Sequence, residues 1–467
     1  MLKKYRTLFV LLLILILASF FRFYNLKSAP PGLYPDEAMN GNNALEAIKT
    51  GKYKIFYPEN NGREGLFINI QAGFLKLFLP NSNLPQPWML RIPSAIFGVL
   101  TVLGLFFLTR ELFKDSKLAL FASFLLSISF WHINFSRIGF RAIMAPFFLT
   151  WGVYLIILSF RKDKFVLISA LGGIAYGLGF YSYIAYRATP ILIAMIAILY
   201  LIKNKITRKK IFLSSFIFLL FTLATIVPLG RYFINHPEDF LGRTSQISVF
   251  SSPNPLKDLS LNILKTIGMF NVAGDFNWRH NLSGRPELVW PIGILFLLGI
   301  IYGLKKLSNE RLILFGWLGI AMGPVIISNE GLPHALRAIL MIPPIFILSA
   351  LGGKYLLEKS QKINIPEKLK TATIYLFFAL LILESFNAYF SEWAKNSETA
   401  GAFNHEDIKI AETLNSLPYE MPKYVIVKRG GVLVRDMPMS TQTVMFLTTT
   451  WRSEDRISKI IYDIKAD

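Results

Sequence analysis

Residues 3–50 read KKYRTLFVLLLILILASFFRFYNLKSAPPGLYPDEAMNGNNALEAIKT. Lys3, Lys4 and Arg6 precede an apolar stretch from Thr7 to Phe23 that is long enough to cross a bilayer. No small-x-small cleavage site follows it, and the bulky SFFRFYNL reads as a retained helix rather than a removed leader. The chain then changes character. Pro35 stands just before Asp36 and Glu37, a helix-start signal, and the spacing predicts a helix to about Lys49. A membrane span is thus followed at once by a polar helix carrying two carboxylates in its first turn.

The rest of the sequence repeats the first half of that pattern. Further apolar stretches are read at 89–109, 118–134, 142–160, 165–182, 187–202, 211–229, 288–304, 311–328, 335–353 and 371–390. With 7–23 they predict an all-α polytopic membrane protein of about eleven spans. The composition agrees: 53% hydrophobic, 17% charged, and 40 Phe among 467 residues. The net charge of +21 would suggest nucleic acid in a soluble protein. Here the Lys and Arg fall in short runs between apolar stretches, such as Arg161, Lys162 and Lys164, or Lys203, Lys205, Arg208, Lys209 and Lys210. No nucleic-acid-binding pattern surrounds them, so they read as anchors on the cytoplasmic face, with no nucleic-acid partner. With the N-terminus inside, every cytoplasmic connection is short and basic, and the short outside connections hold only one or two Arg each. The absence of Cys excludes disulfides, thiol catalysis and Cys-ligated zinc.

This orientation gives a membrane domain over residues 1–390 and an extracytoplasmic segment over 391–467. The segment reads as small and mixed α/β: a helix near 405–416, a strand at YVIVK, another near TVMFLTT and a last helix at 452–464. Two outside loops are long, 25–88 and 230–287. Neither has a disordered composition, and long loops in compact proteins are commonly functional.

The first loop carries most of the candidate chemistry. Asp36, Asn40 and Asn43 lie four and then three residues apart and share one helix face. The helix N-terminus favours an ionised Asp36 that can accept a proton. Acids in a first helical turn are also common caps, and the position alone does not separate the two roles. Further on, Leu66, Phe67, Ile70, Phe74, Leu77 and Phe78 fall at helical spacing, predicting an amphipathic helix along the outer membrane surface. Arg63 and Glu64 stand at its start, where Arg63 could meet a lipid phosphate or simply anchor the headgroup region.

YPDEA and the two loop helices resemble the GT-C glycosyltransferases, and within them the family 39 group of protein O-mannosyltransferases and lipid A aminoarabinose transferases. NFSRIGFRAIMAPFF resembles the segment that opens their fourth span, GLGFYSYIAYRATP their tight fifth-to-sixth hairpin. GDFNWRHNLSGRP and GLPHALRAILMIPP are similar to segments of bacterial members. The chain departs from many relatives in having REGLF where they carry Pro-Pro-Leu. The resemblance implies an inverting transferase that takes a sugar from a polyprenyl-phosphate donor, with Asp36 as general base and Glu37 beside it. It implies Arg337, His334, Arg137, Arg141 and Arg63 as candidates for the donor phosphate. Asn40, Asn43, Glu64, Tyr183, Arg187 and His280 are the substrate-side candidates. The group includes metal-using and metal-free enzymes, so a divalent metal is left open. The acceptor, whether protein, lipid or glycan, is not named by the sequence, nor is the sugar.

A polytopic transporter or lipid flippase is the competing class, and a non-catalytic assembly protein a third. Transporters place ionisable groups near the midplane, often in repeated halves. Here mid-helix positions are almost free of charge, no repeat is visible, and the polar residues gather on one side. Within the GT-C class, a glycan ligase or polymerase is the nearer alternative. The orientation is tested by a reporter fused after Asp467: activity is expected only outside the cytoplasm, and cytoplasmic activity would mean that one span is misread.

Overall fold

The structure is a computed structural model that describes residues 2–82, 84–203, 206–240, 249–361, 366–418, 420–428, 432–450 and 460–464. It is mostly helical. All the apolar stretches read from the sequence fall on helices. Among the described residues, seven helices are long and apolar enough to cross a membrane: Tyr5–Phe23, Pro87–Phe113, Arg141–Ser159, Ile184–Lys203, Arg208–Asn235, Arg337–Ser360 and Glu367–Trp393. Ser116–Ser127, Phe165–Tyr181 and Trp290–Lys305 are shorter apolar helices, and Asn309–Ile326 covers the stretch read at 311–328.

The stretch read as one span at 118–134 is instead broken. One helix ends at Ser127, and a short one, Phe130–Phe135, starts where the Ser129 hydroxyl accepts the His132 N–H. The break takes His132 and Asn134 into fully buried positions. Buried polar groups need partners. His132 Nδ1 meets Arg22 Nη2 at 2.6 Å, and Asn134 Nδ2 donates to the Arg279 carbonyl at 2.8 Å.

Helix contacts inside the bundle use small residues, as expected where lipid provides no hydrophobic drive for association. The 290–305 helix crosses the helix Ile342–Ser360 at Gly299 and Gly352. A Cβ at Gly299 would lie 1.9 Å from the Leu348 carbonyl oxygen, and one at Gly352 1.8 Å from that of Leu295. Only glycine allows this backbone approach.

Both helices expected in the first loop are present, Pro35–Thr50 and Leu66–Phe78. Between them a two-stranded hairpin pairs Phe56–Tyr57 with Arg63–Glu64. The amphipathic Leu66–Phe78 helix buries Phe67, Ile68, Ala72 and Leu75, while Leu77 stays 63% exposed. This division suits a helix with one face on protein and another toward lipid.

The C-terminal segment departs from expectation in two places. The helix His405–Ser416 and the strand Lys423–Val427 are as read. The stretch near TVMFLTT is a helix, Gln442–Leu447, not a strand. A short apolar run does not distinguish the two by periodicity. Here it is buried on every side against the Pro35–Thr50 helix. Phe446 packs on Gly41, Thr443 donates to the Leu33 carbonyl at 2.8 Å, and Asn42 donates to Gln442 Oε1 at 3.0 Å. Of the helix read at 452–464, residues 452–459 lie outside the described residues, and Ile460–Ile464 is a strand parallel to Lys423–Val427.

One ion pair joins three of these segments. Glu37 and Arg91 are both fully buried, with Nε 3.1 Å from Oε2, and Glu37 Oε2 also accepts the Gly139 N–H at 2.8 Å. Arg91 further donates to the Pro30 and Gly32 carbonyls at 2.9 and 2.5 Å. Removing one partner leaves a buried charge, which costs about 3–5 kcal/mol, whereas replacing both can be neutral. Arg91→Met should therefore sharply lower the thermal stability of purified protein, and Glu37→Gln with Arg91→Met should recover a large part of it. Equal stability of wild type and Arg91→Met would show that the pair contributes little.

Candidate active site

Asp36 follows Pro35 in the first turn of its helix, half-buried, and Asn60 Nδ2 donates to its Oδ1 at 2.6 Å. The donor comes from the tip of the hairpin. Asn60, Asn61 and Gly62 all have left-handed backbones, with φ of 52°, 62° and 77°. Asn and Gly tolerate this region, where most residues are strained. The turn NNG thus lets a tight hairpin aim one amide at Asp36. Below it, Arg63 Nη1 donates to Asn40 Oδ1 at 2.7 Å, and Asn40 Nδ2 donates to the Gly139 carbonyl at 3.2 Å. Arg63 is buried, and its Nε and Nη2 have no partner. Burial pulls its guanidinium down to about 10, against the opposing pull of the Asp36 charge. On the other side, burial and then the Asp36 charge push Tyr34 up to about 12, while the Arg279 guanidinium lies 4.1 Å over its ring.

The hairpin also borders a cavity of about 620 Å³. Asn61, Gly62 and Glu64 line one wall, and Arg141, Tyr183, Arg187 and Arg337 line others. Much of the remainder is apolar, including Phe56, Ile184, Ile191, Ile320 and Ile327. Each arginine is held. Arg141 Nε lies 2.8 Å from Glu64 Oε2. Arg187 stacks 4.3 Å from the Phe240 ring centre. Arg337 donates to the Ser328 hydroxyl, to the Glu330 carbonyl at 2.5 Å and to Glu330 Oε2 at 2.9 Å.

Not all the candidates meet here. Arg137 and Arg141 would share a helix face if the fourth span began early, but residues 136–140 are not helical, and the two diverge. Arg137 is fully buried and donates to the carbonyls of Phe21, Tyr24 and Ala29 at 2.7–2.8 Å, tying down the C-terminal end of the first span. Asn43 is fully buried, and neither its amide oxygen nor its nitrogen has a partner. His280 and His334 lie beside Asp275, outside the cavity lining: Asp275 Oδ2 is 2.9 Å from His280 Nδ1 and 3.8 Å from His334 Nδ1. Burial lowers both imidazoles, His334 to about 2.

Sequence reasoning passed over Arg91, Asn60, Asn61 and Asp275. The Asn-Asn-Gly turn was a usable signal, since that composition marks a tight left-handed turn. Arg91 carried no local signal, because its partner lies in another segment.

The family model described as dolichyl-phosphate-mannose-protein mannosyltransferase matches residues 67–230. No curated protein sequence matches the chain. Among solved structures, ArnT from Cupriavidus metallidurans bound to undecaprenyl phosphate is similar with a TM-score of 0.61 at 14% identity, over 94% of this chain and 84% of that one. The archaeal oligosaccharyltransferase AglB from Archaeoglobus fulgidus, in complex with an inhibitory peptide and a dolichol-phosphate, is similar with a TM-score of 0.58 at 16% identity. That likeness covers 96% of this chain, which spans 64% of the length of AglB. By fold over nearly its whole length, and by sequence over residues 67–230, the chain has the architecture of the GT-C glycosyltransferases and resembles the dolichyl-phosphate-mannose-protein mannosyltransferase family.

Proposed function

We propose that the protein is a membrane glycosyltransferase that moves a sugar from a polyprenyl-phosphate donor to an acceptor hydroxyl on the extracytoplasmic side, with inversion. The observation that carries this reading is the cavity with Arg141, Arg187 and Arg337 in its walls, bordered by the hairpin that also holds Asp36. Its apolar walls suit a prenyl chain, and its arginines suit the phosphate at the end of that chain. The ArnT and AglB structures were solved with lipid phosphates bound, which supports the same class of donor.

In this mechanism Asp36 takes the proton of the acceptor hydroxyl as its oxygen attacks the anomeric carbon. The new glycosidic C–O bond forms on one face while the C–O bond to phosphate breaks on the other. The electron pair leaves with the lipid phosphate, and the arginines stabilise that charge as it grows. Asn60 fixes the Asp36 carboxylate. Glu64 holds Arg141 until a phosphate competes for it. Tyr183 and Arg187 would contact the donor, while Asn40 and Arg63 support Asp36 from below. Glu37 serves through its ion pair as a positioning group. The N-terminus is cytoplasmic, and the C-terminal segment covers the Pro35–Thr50 helix from outside. The acceptor is a protein, a lipid or a glycan, and the sugar a hexose or pentose. Mass spectrometry of envelope glycans and glycoproteins with and without the protein identifies both.

Two measurements test the roles. Asp36→Asn keeps the Asn60 neighbourhood in shape but removes the base, and should lower turnover by about 10²- to 10⁴-fold with normal insertion and stability. Near-wild-type turnover would remove Asp36 from the mechanism. Arg337→Ala should raise the donor KM by about 10- to 150-fold, as expected for loss of a charge-assisted contact. Arg337→Lys should rescue it only in part, since Lys cannot reproduce the two-pronged contact. A change confined to acceptor kinetics would instead place Arg337 on the acceptor side.

A further inference from the structure

A second hairpin, in the C-terminal segment, meets the tip of the one that carries Asn60. Leu433–Val434 pairs antiparallel with Met437–Pro438, so Arg435 and Asp436 form a two-residue turn. Both have left-handed backbones, with φ of 52° and 64°. Turns of this kind favour Asn and Gly, because most side chains are crowded there. An Arg in that region is strained, and strain persists where surrounding contacts over-determine it. Here the contacts are two carboxylates. Arg435 Nη2 lies 2.7 Å from Glu46 Oε2 of the Pro35–Thr50 helix and 2.7 Å from Glu59 Oε1 of the first hairpin. Val434 and Met445 pack on Met39, one turn beyond Asp36, and seat the strained turn on that helix. Burial alone would raise the Glu59 carboxyl; the bond from Arg435 outweighs it and holds the group below its usual range.

Stability does not account for this arrangement. The Arg435 side chain is 30% exposed and that of Glu59 17%, and ion pairs open to water add little to stability. What the contact fixes is a position. Glu59 is followed directly by Asn60, whose amide donates to Asp36 Oδ1 at 2.6 Å. We propose that Arg435 is a positioning residue for the transfer reaction: it clamps Glu59 against Glu46 and so keeps Asn60 on Asp36. It touches no reacting atom, and this role rests on Asp36 being the base. Without the guanidinium, Glu46 and Glu59 face each other with no cation between them, and their repulsion drives the hairpin tip from the helix. Asp36 then loses the amide that fixes its carboxylate. The C-terminal segment thus takes part in catalysis at one remove, through a single side chain.

The test uses the full-length protein in lipid nanodiscs. The chain has no Cys, so one nitroxide on Pro58→Cys, an exposed position just before Glu59, reports on the hairpin alone. The label should be immobilised in the otherwise wild-type protein, mobile with Arg435→Met and intermediate with Arg435→Lys. Transfer is read without the label, as the protein-dependent product in mass spectra of envelope glycans and glycoproteins. It should fall about 10- to 100-fold in Arg435→Met, as for a small misplacement at a reacting centre, and return in part in Arg435→Lys. Undecaprenyl phosphate binding to the purified protein should be unchanged, and the melting temperature should stay within about 2 °C of wild type. Glu59→Gln should behave like Arg435→Met, and combining the two should add little, as for two halves of one contact. Wild-type transfer in Arg435→Met, with or without a mobile hairpin, would overturn the proposal. So would a loss of transfer that tracks a lower melting temperature or lost lipid binding. Full transfer in Asp36→Asn would instead overturn the general-base reading, and the label spectrum then decides by itself whether Arg435 clamps the hairpin.

Discussion

The arrangement of the segments that follow the first span depends on one buried ion pair, Glu37 with Arg91. Glu37 sits in the first turn of the loop helix, Arg91 in the first turns of the Pro87–Phe113 span, and the Gly139 N–H that completes the carboxylate belongs to a third segment. Arg91 reaches on to the carbonyls of Pro30 and Gly32, the chain that leads from the first span into the loop. Two desolvated charges tolerate little displacement, because each needs the other and the surrounding dipoles to offset the loss of water. The pair therefore sets the direction of the Pro35–Thr50 helix, which carries Asp36 next to Glu37 in its first turn.

Around that fixed point, two arginines do comparable work inside the protein. Arg22 and Arg137 are both fully buried and donate to backbone carbonyls around the C-terminal end of the first span, Arg22 to Ala18 and Ser127, Arg137 to Phe21 and Ala29. Those carbonyls lie where a helix ends and has no further N–H groups to offer them. The arginines close that end and join it to the broken segment around Phe130–Phe135. Cationic side chains thus divide into two populations with the same composition and opposite duties. Arg22, Arg91 and Arg137 satisfy the fold, while Arg141, Arg187 and Arg337 stand in the walls of the cavity.

The C-terminal segment is part of this arrangement rather than an appendage. Its Gln442–Leu447 helix packs on the Pro35–Thr50 helix, and Arg435 holds Glu46 of that helix and Glu59 of the hairpin, each at 2.7 Å. Glu59 is followed directly by Asn60, the donor to Asp36. Helix, hairpin and C-terminal segment are thereby held as one assembly above the cavity. A short apolar run folds as a helix here because a helical face is what lies opposite it.

Local chemistry was enough to locate the membrane helices, the Pro35 start of the loop helix and the amphipathic helix from Leu66, since apolar length, proline placement and 3.6-residue periodicity are properties of contiguous sequence. It was also enough to single out the carboxylates of YPDEA, but not to divide their roles. Asp36 and Glu37 are neighbours in sequence and about 100° apart around the helix, given 3.6 residues per turn. Which of them faces Arg91 and which faces the hairpin depends on partners from distant segments. The same holds for Arg137 and Arg141, whose shared face vanished when residues 136–140 left the helix, and for Asp275, His280 and His334, brought together from two segments. Sequence by itself determined where the chain is helical, apolar and charged; the tertiary structure alone decided which charges are buried against one another and which are left facing a cavity, because that choice is made by contacts between segments far apart in the chain.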